Sequence, residues 1–469
     1  MHFLPFSPSG KKIPVQNNFR LPPEFYLSSH YSITFIAKPA VGLSGSIRVP
    51  GDKSISHRSV MFGSLAEGMT QVTGFLEGGD SLGTLQAFRD MGVKIEGPVD
   101  GKVTVHGVGL RGLRKPAKEI DLGNSGTSMR LMAGILSGQS FDTKMIGDSS
   151  LSKRPMKRVI TPLEKMGAKI DSHEGRPPLL IHGGQQLKAI HYDMPMASAQ
   201  VKSCVLLAGL YAEGETSVTE PEVTRDHTER MLRGFGYDVQ SVTEASGKTK
   251  VSLKGGGKLF ACKIDVPADI SSAAFFLVAA SITPGSDITL THVGVNPTRT
   301  GVIDILKLMG ANLELLNQRE VGGEPVADIR VRYAELHGIN IPAPLVPLAI
   351  DEFPVLFIAA ACAKGLTVLT GAEELRVKES DRIQVMADGL ATLGISATPM
   401  PDGIIIEGGK MGSGTVESHD DHRISMSFSV ASLRASGLIR INNCNNVATS
   451  FPNFVELAKK VGFDLEVLS

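Results

Sequence analysis

Two short stretches of this chain set hydroxyl and glycine residues beside cations where a turn enters a helix. They are Pro50-Gly51-Asp52-Lys53-Ser54-Ile55-Ser56-His57-Arg58 and Asn124-Ser125-Gly126-Thr127-Ser128-Met129-Arg130. Free backbone N–H groups at a helix N-terminus, backed by Lys or Arg, bind anions. Two such sites predict a ligand with several negative groups, or two anionic ligands side by side. In the first, Lys53 is the cation, Ser54 a neutral donor, and Arg58 lies one turn further along the same face. In the second, Gly126 permits close approach of a small anion, and a purely structural helix start has no need of Arg130.

Other residues could join them. Arg154, followed by Pro155, falls at a loop-to-helix junction, whereas Lys157 and Arg158 read as a solvated face. Ser198 suits an N-cap, and Gln200 beyond Ala199 can donate to a phosphate and accept from a hydroxyl. Arg225 has Glu229 four residues on as an alternative partner, and either Asp351 or Glu352 could cap the apolar run after them. Lys378, Glu379 and Arg382, with Asp381 between, read as one helical turn; taken alone they describe a salt-bridged surface helix. Arg423 follows Asp420, Asp421 and His422, and the two histidines His57 and His422 read as supports rather than ligands. There is no HExxH, CxxC, Asp-rich loop or Walker motif, so no metal, cofactor or nucleotide is expected.

The elements that position these residues repeat. A helical run with a Leu/Met stripe, then a glycine, then an alternating strand recurs six times, with glycines at 92, 167, 236, 310, 394 and 462. A near-constant period with one supersecondary unit marks internal duplication, and glycine ends each helix in the left-handed region. Between these helices lies a second set, apolar nearly all round and therefore buried, at 129–138, 198–214, 269–285, 353–365 and 425–437. Three units make one globule and six make two, with a cleft between them.

Bulk properties narrow the function. The chain has 469 residues, 42% hydrophobic and 20% charged, with 48 basic residues balancing 48 acidic ones. Zero net charge argues against a nucleic-acid surface. No membrane span or signal-peptide core is visible, and four scattered cysteines suit a reducing compartment, hence the cytoplasm. Prolines 5, 8, 14, 22 and 23 mark the first residues as a loose extension.

The motifs together resemble the 5-enolpyruvylshikimate-3-phosphate (EPSP) synthase family. PGDKSISHR, GNSGTSMRLMAG, SLSKRPMKR, MASAQVKSCVLLAGL, RDHTERML, DISSAAFFLVAA, IDEFP, LRVKESDRI, DHRISMS and TSFPNF occur in the family's order from residue 41 to the end. The resemblance implies a two-domain inside-out α/β barrel, each domain built from three βαβαββ-like units. The division expected is an extension at 1–40, one domain at 41–51 with 268–469, and the other at 52–267. It implies two substrates, shikimate 3-phosphate and phosphoenolpyruvate, glyphosate as an inhibitor, and a monomer. It assigns Lys53, Ser54, Arg58, Ser198, Ala199, Gln200, Arg225, Asp351 and Lys378 to shikimate 3-phosphate. Lys53, Asn124, Gly126, Thr127, Arg130, Arg154, Gln200, Arg382 and Arg423 go to phosphoenolpyruvate, and Asp351, Glu379 and Lys53 to catalysis.

RDHTE and the Ser before Phe-Pro resemble the subgroup of reduced glyphosate sensitivity. One position departs from the pattern: many members carry Lys directly before Thr-Phe-Pro, where this chain has Thr449 before Ser450-Phe451-Pro452. The alternatives kept open are an enolpyruvyl transferase acting on UDP-N-acetylglucosamine, which usually has a reactive cysteine in a glycine-rich loop, and a non-catalytic binder of phosphorylated ligands.

Overall fold

A computed structural model describes residues 32–244 and 248–468. Two hydrophobic cores form. One gathers Ile55 to Val266; the other gathers Phe35 to Val49 together with Ala268 to Leu465. The fold is two-domain α/β. Among the described residues no helix is long and apolar enough to cross a membrane.

Among the described residues the repeat is visible as six sheets and two sets of six helices. In one unit, strand Ile120–Asp121 leads into the buried helix Gly126–Ser137, then strand Thr143–Ile146, outer helix Lys157–Lys165 and the hairpin Lys169–His173 and Arg176–His182. The six repeat glycines all have positive φ, from 78° at Gly394 to 118° at Gly462. Each turns an outer helix into a sheet-edge strand at a backbone angle that a side chain would strain.

The last unit is completed from far away. Strand Thr34–Lys38 lies between Ile439–Asn442 and Asp464–Leu468, antiparallel to both. It fills the slot that the second strand of the hairpin fills in the other units. The expectation of a loose extension through residue 40 is therefore corrected for 34–38; the prolines at 5 to 23 lie outside the described residues. Five residues of TFIAK carry too little alternation to announce a strand whose partners are some 400 residues away.

The buried helices Lys53–Leu65, Gly126–Ser137 and Ala199–Gly209 form the centre of one core. Ile270–Ile282, Phe353–Cys362 and His422–Ala431 form the centre of the other. The first of these, Lys53–Leu65, was not among the buried runs read from sequence, because serines and His57 interrupt it. Five of the six are capped by a short polar side chain: Asp52, Ser125, Ser198, Asp269 and Asp421 each accept a backbone N–H of their own first turn. The chain crosses between the cores twice, side by side. Asp52 N donates to the Pro267 carbonyl at 2.8 Å, and Asp269 N donates to the Pro50 carbonyl at 2.9 Å.

Candidate active site

The mouths of these helices carry the residues singled out by type. Lys53 Nζ reaches Asp80 Oδ2 at 3.2 Å and Ser450 Oγ at 2.9 Å, one partner from each core. Ser54 follows at the same helix mouth, and its carbonyl accepts from Arg58. Arg58 is buried, donating also to Thr228 Oγ1 at 2.8 Å and Ser203 Oγ at 3.1 Å. All three acceptors are neutral. Burial, chiefly, pulls its pKa down to about 10.

The second anion nest is tied together. Arg154 donates to Asn124 Oδ1 at 2.6 Å. Arg130 donates to Gln200 Oε1 at 2.6 Å, and Gln200 Nε2 donates to Thr127 Oγ1 at 3.0 Å. Ser198 caps the helix that Ala199 and Gln200 open. Burial, then the neighbouring Arg158 and Arg154, lowers the Arg130 pKa to about 10. A Cβ on Gly126 would lie 2.9 Å from Arg130 Nη1 and 3.2 Å from Arg154 Nη1, so both guanidinium groups rest against the space a methyl would take.

Carboxylates face these cations from the other core. Asp351 pairs with Arg225, whose partner is thus not the Glu229 allowed by spacing. Asp351 also lies 3.4 Å from both Lys378 Nζ and Arg382 Nη1. Its backbone carbonyl accepts from Arg423 at 2.8 Å. Glu379 accepts from Arg382 at 2.6 Å and lies 3.4 Å from Arg154 of the opposite core. Burial alone would raise both acids. Lys378, Arg225, Arg423 and Arg382 instead hold Asp351 well below the usual carboxylate range, and Arg382 and Arg154 lead in doing the same for Glu379.

The single helical turn expected for Lys378, Glu379 and Arg382 is not what forms. A 3-10 helix ends at Val377, Lys378 is extended at the start of a bend that includes Glu379, and only Arg382 starts a helix, capped by Asp381. Helical spacing would have stacked the charges on one face. The bend instead aims Lys378 at Asp351 and Glu379 at Arg154. Glu352, not Asp351, takes the N-cap position of Phe353–Cys362, but its carboxylate accepts from Ser271 instead of capping.

Three residues here were not foreseen. Asp421 accepts from Arg382 Nε at 2.8 Å and is fully buried. Arg299 joins the two crossing segments by pairing with Asp52 at 3.0 Å and Asp269 at 3.2 Å. Lys202 lies one turn inside the helix opened by Gln200. An acidic residue just before an apolar helix and a lone lysine within one were the available signals. Among the described residues no group of three or more His, Cys, Asp or Glu is placed to hold a metal ion. Thiols Cys204 and Cys444 are buried, and Cys262 and Cys362 are half-buried.

Comparison with known proteins bears on this arrangement. The family model described as EPSP synthase (3-phosphoshikimate 1-carboxyvinyltransferase) matches residues 37–457. A 3-phosphoshikimate 1-carboxyvinyltransferase of Methylococcus capsulatus is 66% identical over 93% of this chain and 99% of its own. That of Legionella pneumophila is 57% identical, covering 93% of this chain and 100% of its own. Among solved structures, EPSP synthase from Acinetobacter baumannii superposes with a TM-score of 0.83 at 63% identity, over 94% of this chain and 100% of that one. The enolpyruvyl transferase NikO from Streptomyces tendae shares the fold, with a TM-score of 0.74 at 16% identity, over 93% of this chain and 99% of that one.

Proposed function

The chain belongs to the EPSP synthase family, and from that premise we propose how its two globules divide the reaction. The enzyme transfers the enolpyruvyl group of phosphoenolpyruvate to the 5-hydroxyl of shikimate 3-phosphate and releases phosphate, a step in aromatic amino-acid biosynthesis. In our reading Ser54, Arg58, Ser198, Ala199, Gln200, Arg225 and Lys378 hold shikimate 3-phosphate. Asn124, Gly126, Thr127, Arg130, Arg154, Arg382 and Arg423 hold phosphoenolpyruvate, and Lys53 and Gln200 touch both. Buried guanidinium groups that meet mainly neutral oxygens, as at Arg58 and Arg130, gain most from an anion.

The 5-hydroxyl oxygen attacks C2 of phosphoenolpyruvate while C3 takes a proton, giving a tetrahedral ketal phosphate. Loss of a proton from C3 then expels phosphate and leaves the enol ether. Asp351 takes the hydroxyl proton. Glu379 exchanges the proton at C3, for which it must first be protonated. Arg382, Arg154 and Lys53 favour its anion; anionic substrate groups paired with those cations offset their field, and the Glu379 pKa rises. The observation that carries this reading is the pair of acids Asp351 and Glu379, each bridging to a cation of the opposite core.

The remaining features follow the same reading. Lys53, steered by Asp80 and Ser450, serves where relatives use a lysine at the Thr449 position. The RDHTE segment and Ser450 resemble the subgroup of reduced glyphosate sensitivity, whereas Gly126, where tolerant members carry Ala, points the other way; we propose that Gly126 sets the room left for that inhibitor. One chain supplies the whole cleft, which suits a monomer, and free thiols suit the cytoplasm. Phosphate release from pure protein given both substrates tests the account. Release with UDP-N-acetylglucosamine in place of shikimate 3-phosphate, or no release, contradicts it.

A further inference from the structure

We propose that Lys202 is a positioning residue for shikimate 3-phosphate recognition, acting through Arg225; this rests on the placement of that substrate's phosphate at Arg225 given above. Lys202 is 1% exposed, within a helix that otherwise buries Val, Ser, Cys, Leu, Ala and Gly. Its ammonium lies 3.1 Å from Glu220 Oε1, 2.7 Å from Glu229 Oε1 and 3.5 Å from the Thr224 carbonyl. Both carboxylates are buried. An apolar side chain would fill this space without the desolvation that a buried cation and two buried acids carry. The arrangement makes sense as geometry.

The partners of Lys202 sit on three segments around the loop that bears Arg225. Glu220 ends strand Glu215–Glu220, Thr224 lies in the loop, and Glu229 lies in helix His227–Gly234. Glu220 also accepts the Thr224 N–H at 3.3 Å and the Thr224 hydroxyl at 2.6 Å. The residue before Arg225 is thereby held through Lys202 and Glu220. The residue after it, Asp226, accepts from Asn296 of the opposite core at 2.7 Å and from Arg230 at 2.8 Å. Arg225, between two fixed neighbours, extends its guanidinium to Asp351. Because Lys202 shares a helix with Ser198 and Gln200, it fixes Arg225 relative to the other residues assigned to the same substrate. Small misplacements of such a group weaken recognition strongly.

Steady-state kinetics of Lys202→Met, Thr224→Val and Arg225→Ala, singly and combined, test the proposal. Thr224→Val keeps all three charges and loosens only the loop, so it decides the matter if Lys202→Met does not fold. The expected result is a rise of about tenfold in the Michaelis constant for shikimate 3-phosphate, with that for phosphoenolpyruvate within about twofold, and no further rise when either change is added to Arg225→Ala. Equal losses for both substrates, or a full additional loss in the Arg225→Ala background, overturn it. If Arg225→Ala alone leaves the shikimate 3-phosphate constant unchanged, the placement of that substrate fails instead.

Discussion

Each core presents three helix mouths to the cleft, but the buried arginines Arg58 and Arg130 of one and Arg382 of the other have opposite surroundings. In the first core, Arg58 and Arg130 are buried against hydroxyl, amide and carbonyl oxygens, and both pKa values fall to about 10, chiefly through burial. In the second, Arg382 is 1% exposed and meets Asp421, Glu379 and Asp351. Burial works against its charge there too, but those carboxylates win and raise its pKa. One duplicated unit has thus become an anion receptor with too little negative charge on one side. On the other side it has become a set of ionised acids steadied by cations. Binding and proton transfer can then be altered separately.

The largest expected effect is on turnover. Glu379→Gln keeps the size of the side chain but cannot cycle a proton, so kcat should fall by ~10²–10⁴-fold. The loss should fall on kcat more than on either Michaelis constant. A fall of less than about tenfold removes Glu379 from proton transfer.

Stability should separate the two arginine environments next. Arg382→Met leaves the fully buried Asp421 without its cation and should cost about 3–5 kcal/mol in denaturant unfolding. Arg130→Met removes a cation with neutral partners and should cost about 1 kcal/mol, while weakening phosphoenolpyruvate. Equal costs would mean that the two cores do not differ as described.

Much of this was legible in the sequence, for a local reason. Lys53, Gly126, Arg130 and Gln200 sit at turn-to-helix junctions whose capping residues announce themselves, and the glycine period set the number of units. What was not legible is pairing across the cleft. Nothing near Arg225 points to Asp351, 126 positions away, and the local candidate Glu229 belongs instead to Lys202. KESDR suits a helix by propensity, yet tertiary pairing with Asp351 and Arg154 holds its first residues in a bend. The strand at 34–38 escaped notice because its sheet is closed by the far end of the chain.

A smaller effect is expected at Gly126. Gly126→Ala sets a methyl against Arg130 and Arg154, with an overpacking cost of ~1–3 kcal/mol. The inhibition constant of glyphosate should rise more than the Michaelis constant for phosphoenolpyruvate. Equal rises would mean that this nest does not distinguish the two ligands.

A further effect is one that both cores share. His57 in one and His422 in the other are buried, and desolvation, then Lys53, lowers each pKa to about 3. A neutral buried histidine adds stability that is fully present above its unfolded value of 6.5 and is lost as pH falls towards 3. Each should contribute a slope of up to about 1.4 kcal/mol per pH unit in that window. His57→Asn and His422→Asn should each flatten the fall in stability between about pH 6 and pH 5. An unchanged slope in both contradicts the assignment.

Asp351→Asn tests the division of labour most directly, because Asp351 joins the two halves through Arg225. The measurement is calorimetric binding of shikimate 3-phosphate alongside phosphate release by the same variant. Removing the charge should leave Arg225 freer for the substrate's phosphate, so the dissociation constant should stay the same or fall, while turnover drops by at least about a hundredfold. Binding that weakens in step with turnover would contradict the separation of the anion-receiving core from the proton-transferring one.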